Sequence, residues 1–191
     1  SGIIAGDAPD QAYSWQVTNK EFAKMTSVER LLLEFQQFKI IDKRYKGLAS
    51  TARQTRQYYA SLPFVNAFIV DTSFDYANDE ALALCSDSHT TTRSGVDTTT
   101  GFDNLTTAAF SPTALKSAWI QGRKIRTLAG QPIDAHEFDM CLVPVDLKDL
   151  ADEVFQTMKG LDASNINTNV LENRYKVVDW IRLTDTNNWY L

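Results

Sequence analysis

Cysteine and histidine are scarce in this chain, with two of each among 191 residues. Two cysteines do not make a disulfide framework, so the composition points by default to a reducing compartment. Basic charge is also short: 19 Lys and Arg stand against 24 Asp and Glu, a net charge of −5, with a pI near 5.0. A dedicated nucleic-acid binder rests on a basic surface, and this balance argues against one. No apolar run approaches the roughly 20 residues of a membrane-spanning helix, and mean hydropathy is −0.29. A soluble protein with no membrane partner is expected. The opening SGIIAGDAPD has neither the basic flank nor the apolar stretch of a signal peptide. The phosphate-cradling patterns G-x-G-x-x-G and G-x-x-x-x-G-K are missing, as is the G-x-S-x-G elbow around Ser86. Nothing therefore argues for a nucleotide cofactor or a small-molecule substrate.

What is present is an ordinary folded composition, 43% hydrophobic and 23% charged, in a chain long enough for one domain or two small ones. Residues up to about Gln11 read as an arm or leader, and AYSWQVTNKEFAKM, which mixes aromatic and polar residues, as a strand leading into a turn. Thr26-Ser27-Val28-Glu29 has the form of a capping box. Val28, Leu31, Leu32, Phe35 and Phe38 follow at three- and four-residue steps, and Ile41, Tyr45, Leu48, Ala52 and Tyr59 carry the stripe onward. The pattern predicts one helix of about 35 residues and roughly 50 Å, closed by Pro63. Two helices joined near Asp42 to Gly47 are the alternative.

PFVNAFIV reads as a short buried segment, and Ser86 to Asn104 as a long polar loop. SPTALKSAWIQGRKIR reads as a helix with Ser111 at the N-cap, Pro112 in the first helical position and a basic end at Arg123, Lys124 and Arg126. DMCLVPVDL predicts a buried strand ending at Pro144. VDLKDLADEVFQTMKG predicts an amphipathic helix closed by Gly160. Two further strands, YKVVDWIRL and NWYL, flank the turn-forming TDTNN.

The scarce side chains fall in two groups. Cys85 and His89 lie together in ALCSDSH, and His136 and Cys141 in HEFDMC. Two Cys/His pairs could supply a tetrahedral zinc set, but neither has the tight spacing of a zinc motif, and Cys141 sits in an apolar run where cysteine packs as a small hydrophobe. No orienting third group marks Cys85 as a nucleophile. The expectation is no metal and no cofactor, with Cys85 packing and His89 holding its loop by hydrogen bonds. A metal-binding or hydrolytic domain using Cys85, His89, His136 and Cys141 is the alternative function. Lys43, Arg44, Lys46, Arg53 and Arg56 could touch phosphates, but on a helix such a cluster reads rather as a solvated or subunit-facing stripe. Trp189 and Tyr190 crowd the last residues, and aromatics favour buried contacts between chains.

The order of these segments resembles the major capsid proteins of tailed bacteriophages, in particular the Mu-like major head subunit group. LPFVNAF, then ALCSDSH, a glycine and DNL follow that family's run of N-x-A-F, L-C-S-x-x-H, loop and asparagine. FSPTALKSAW is similar to its L-S-x-x-A-L-x-x-A helix, GQPI…DMCLVPVDLKDLADEVF to its strand and helix, and KVVDWIRLTDTNNWYL to its closing strands. The resemblance covers roughly residues 62–191, and the long helix before it would be the family's spine helix. It implies an α/β (α+β) Hong Kong 97-type fold. Residues 1–12 would form an arm, 13–130 a peripheral-type domain with the spine helix, and 131–191 an incomplete axial-type domain, the chain being truncated at both ends. The implied function is non-enzymatic: a structural subunit that assembles into hexamers and pentamers and an icosahedral shell around the DNA genome. Its partners would be further copies of itself, with weak non-specific contact to packaged DNA. Asn104 stands at the family's asparagine, where it would order the loop with His89. Lys43, Arg44, Arg53, Arg56, Trp189 and Tyr190 would face neighbouring subunits. The loop carrying the lysine of self-cross-linking capsids is not recognisable, so no such reaction is expected. A head-completion or adaptor protein is the nearest variant of this reading.

Overall fold

The computed structural model describes residues 11–17, 19–70, 76–133, 137–157 and 169–191. Trp15–Val17 (β1) pairs antiparallel with Tyr76–Asn78 (β2), with Gln16 opposite Ala77. Between them the helical region is two helices. Arg30–Glu34 (α1) and Phe38–Val65 (α2) are separated by a reversal in which Gln36 takes φ 53. The break therefore falls ahead of the Asp42 to Gly47 alternative, and Gly47 lies inside α2.

The capping box does not form. Helix α1 begins only at Arg30, and Glu29 is an extended N-cap whose side chain makes no capping bond. The reversal accounts for this. It lays the residues before α1 beside α2, where Arg44 donates to the Ser27 carbonyl at 3.1 Å and approaches the Glu29 carboxylate at 3.8 Å. Glu29 thus turns to a guanidinium rather than to its own backbone. Phe22 packs on Tyr59 with ring centroids 4.3 Å apart, so residues 19–29 run back along α2. Pro63 sits in the last turn of α2, which ends two residues later rather than at the proline. PFVNAFIV is consequently a helix end and a turn. Ala67 alone of it is fully buried, while Ile69 and Val70 are exposed.

Residues 81–109 hold neither helix nor strand, as the polar composition of their middle part requires. Pro112–Arg123 (α3) then starts as its sequence dictates, with the Ala114 N–H donating to Ser111 Oγ at 3.1 Å and Pro112 in the first turn. It stops at Arg123, with Lys124 as C-cap, short of Arg126. Gly122 is on the face of α3 that meets Phe138, where a methyl group would overlap the ring.

Met140–Val143 (β3) is followed by Pro144, a 3₁₀ turn over Val145–Leu147, Lys148–Gln156 (α4) and finally Lys176–Asp179 (β4). Gly160 lies outside the described residues, and α4 ends at Gln156. The closing strands do not pair with each other. Helix α4 provides the crossover that parallel pairing demands, and β4 lies parallel to β3 with Leu142 opposite Val178. Leu142 turns its own N–H and C=O to the other edge, where both bond to Tyr190 at 2.9 Å. Pairing both edges of β3 places both partners over the core, because Cys141 and Val143 are wholly buried.

The core joins Phe110 and Leu115, Cys141 and Val143, Ala151, Val154 and Phe155, and Leu171 and Tyr175. It draws on residues from both sides of position 130 and includes nothing from α2. The mixture of helix and strand is that of an α+β protein. Among the described residues no helix is long and apolar enough to cross a membrane.

Candidate interaction surface

Helix α2 is 28 residues long, about 42 Å at 1.5 Å per residue, and Ser61 is its one buried residue. Sequence periodicity gives an apolar stripe along a helix long enough to be a strut that something else packs against. The structure leaves Phe38, Ile40, Tyr45 and Tyr58 exposed, and on α1 Leu31 and Leu33 as well. Phe35, in the reversal, is 69% exposed. Scattered apolar residues on a surface are ordinary, but a concentration of them on one element makes α2 the candidate interaction surface.

Six of the chain's 19 basic residues lie on α2, with one of its 24 acidic residues. All six basic residues, Lys39, Lys43, Arg44, Lys46, Arg53 and Arg56, are exposed. Lys46 pairs with Asp42 at 2.6 Å, and that hydrogen bond and charge hold its ammonium above the ordinary lysine range. Arg44 is engaged with Ser27 and Glu29. Lys39, Lys43 and Arg53 make no ion pair among the described residues, and Arg56 lines an open groove with Glu21 and Phe22. The structure thus places Lys43, Arg44, Arg53 and Arg56 together on one strut.

Trp189 and Tyr190 are elsewhere and are used within the chain. The Trp189 indole N–H donates to the Ala108 carbonyl at 3.1 Å, and the Tyr190 hydroxyl to the Phe64 carbonyl at 2.6 Å. Tyr190 also meets Phe64 edge to face, with ring centroids 5.4 Å apart. This pins the last residues to the C-terminal turn of α2, where helix carbonyls lack helical partners. Both rings are half-buried.

The long loop is organised by two side chains. Asn104 accepts from the Ser86 N–H at 2.8 Å and donates to the Leu84 carbonyl at 2.9 Å, while its own N–H bonds the Ser86 carbonyl at 3.1 Å. His89 lies between two acceptors, with Nδ1 2.9 Å from Glu80 Oε2 and Nε2 3.3 Å from the Leu84 carbonyl. The other Glu80 oxygen takes the Thr90 N–H at 2.6 Å, and Tyr13 reaches Thr90 Oγ1 at 2.8 Å. Sequence reading did not single out Glu80, because its partners lie nine and ten residues away with no motif linking them. Replacing it strips several bonds from a half-buried hub. In Glu80→Ala the Thr90 amide is expected to exchange with solvent about 10- to 100-fold faster, read by hydrogen-exchange NMR. Unchanged protection would show that the loop is held by other contacts.

Cys85 is partly buried, its N–H donates to the Ala67 carbonyl at 2.7 Å, and burial raises its thiol above the ordinary range. Cys141 is buried in β3. His136 lies outside the described residues. Among the described residues no group of three or more His, Cys, Asp or Glu side chains is placed to hold a metal ion.

Comparison with family models, with curated proteins and with solved structures returned no match to this chain.

Proposed function

We propose that this chain is a non-enzymatic structural subunit of a tailed-phage head, a Hong Kong 97-type capsid protein that assembles with copies of itself into hexamers, pentamers and a closed shell around the genome. The observation that carries the reading is α2, a long helix that buries one residue in its own chain and leaves aromatic, aliphatic and basic side chains exposed along it. A lone globular domain has no use for such a strut, whereas a subunit that must meet neighbours does. The order of motifs over residues 62–191 supports the same assignment. On this reading α2 is the spine helix, residues 13–130 belong to the peripheral-type part and residues 131–191 to the axial-type part, and the site of action is the virion.

Electron microscopy and light scattering of the purified protein across a range of salt concentrations test it. Rings or shells many times the 21.5 kDa chain mass are the expected result. A protein that stays monomeric under every condition overturns it.

A further inference from the structure

Resting on that reading of self-assembly, we infer that the basic strut of one copy docks on the outer face of α4 in the next. The two surfaces are matched in kind. Lys39, Lys43, Lys46 and Arg53 recur at steps of four, three and seven and so share one side of α2, with Phe38 and Tyr45 exposed next to them.

Helix α4 buries Ala151, Val154 and Phe155, which leaves its other side to solvent. There Asp149 and Glu153 are exposed a step of four apart beside the exposed Leu150, and Val145 and Asp146 of the preceding 3₁₀ turn are exposed ahead of them. Asp149 in the first turn has an ordinary role beside the helix dipole. Glu153 lies beyond that turn, and neither it nor Asp149 has an ion-pair partner among the described residues. Two exposed apolar side chains flanked by three carboxylates form the complement of two exposed aromatics flanked by lysines. Lys39 to Lys43 and Asp149 to Glu153 each rise about 6 Å, so both pairs can meet in one register.

A second copy is the occupant the charges favour. With the basic residues gathered on α2, the rest of a chain already at −5 is more acidic still. The contact uses two different patches, so each copy that joins leaves one of each open. Association therefore continues into a ring or a chain rather than stopping at a two-fold dimer.

Sedimentation velocity and light scattering of the full chain at low ionic strength test the contact with charge reversals. Lys39→Glu with Lys43→Glu, and separately Asp149→Lys with Glu153→Lys, are each expected to weaken association roughly 10- to 100-fold. The chain carrying all four changes is expected to recover it. The neutral pair Asp149→Asn with Glu153→Gln gives an intermediate loss and avoids a cation at a helix start. Circular dichroism confirms folding in each case. If the wild type assembles and the reversals leave assembly intact, the docking is wrong and the capsid reading stands. If the singly reversed chains dissociate and the fourfold chain does not recover, the two patches are not each other's partners. If the α2 reversal abolishes binding to duplex DNA and leaves assembly untouched, the strut serves a polyanion and the docking is again wrong. A wild type that is monomeric throughout removes both proposals.

Discussion

Raising the pH from 8 to 11 is expected to weaken the core by about 3 kcal/mol, and the loss originates at β3. Cys141 is fully buried there, and burial pushes its thiol from 9.0 to about 12. Tyr190, bonded to the far edge of the same strand, has its hydroxyl pushed from 10.0 to about 12, first by burial and then by the neighbouring Cys85 and Asp185. Both groups keep their protons in the folded chain and lose them earlier in the unfolded one. Their stabilisation is therefore complete below pH 9, falls as the unfolded chain begins to ionise, and is gone once the pH passes about 12. Three pH units on Cys141 correspond to about 4 kcal/mol at most. Tyr190 is half-exposed and solvent screening leaves it a smaller share. Against a net stability of about 5–15 kcal/mol for a typical domain, this is a large fraction. Urea denaturation followed by tryptophan fluorescence at each pH measures the loss, and Cys141→Ala is expected to flatten its pH dependence. At pH 8 a thiol reagent is expected to label Cys141 roughly 1,000-fold more slowly than a free cysteine, because only the thiolate reacts. A stability that does not fall between pH 8 and 11, or a Cys141 labelled as fast as the denatured chain, would contradict this account.

Features coded by neighbouring residues were legible in the sequence. Ser111 and Pro112 start α3 because a hydroxyl acceptor and a fixed φ do the same thing in any surroundings. The strand before Pro144 and the helix after it follow from their apolar patterns. The loop after Ser86 follows from the lack of one. What the sequence did not disclose depends on partners far along the chain. Nothing between Phe35 and Gln37 is a glycine or proline, yet the chain reverses there, because the residues ahead of α1 find Arg44 and Tyr59. The apolar stripe through Leu31, Phe38 and Tyr45 is regular, but its period says only that the residues share a face, not that the same chain covers it. NWYL and KVVD look alike as strands, and only the burial of β3 decides that each pairs with it instead of with the other. At the candidate surface the basic residues of α2 were readable from the sequence as a group. Glu80 was not, since a carboxylate becomes a hub only when the fold brings His89 and Thr90 to it.

Phe155→Ala is expected to lose about 3–5 kcal/mol, the range for removing a buried ring that cannot be refilled. Phe155 is 2% exposed and projects from α4 into the centre of the core. It meets Phe110 edge to face with ring centroids 6.4 Å apart and Tyr175 at 5.5 Å. Phe110 in turn meets Trp189 at 5.6 Å. One side chain therefore ties the crossover helix to the residues before α3, to those before β4 and to the end of the chain. Its loss leaves a cavity bounded by rings whose backbones are fixed in separate elements, so the walls cannot close on it together. Nor does α2 offset the loss, because no residue of α2 belongs to the core. Urea denaturation followed by tryptophan fluorescence reads the effect directly, as Trp119 and Trp189 pack against this cluster. Gln156→Ala, on the next, exposed position of the same helix, is expected to cost under about 0.5 kcal/mol. Equal effects from the two variants would mean that α4 contributes through its helicity alone. A loss confined to Phe155→Ala, with α2 still helical by circular dichroism in the unfolded core, would show that the strut and the core are separate sources of order. That separation is what a subunit needs if its strut is to take its final stability from a neighbour.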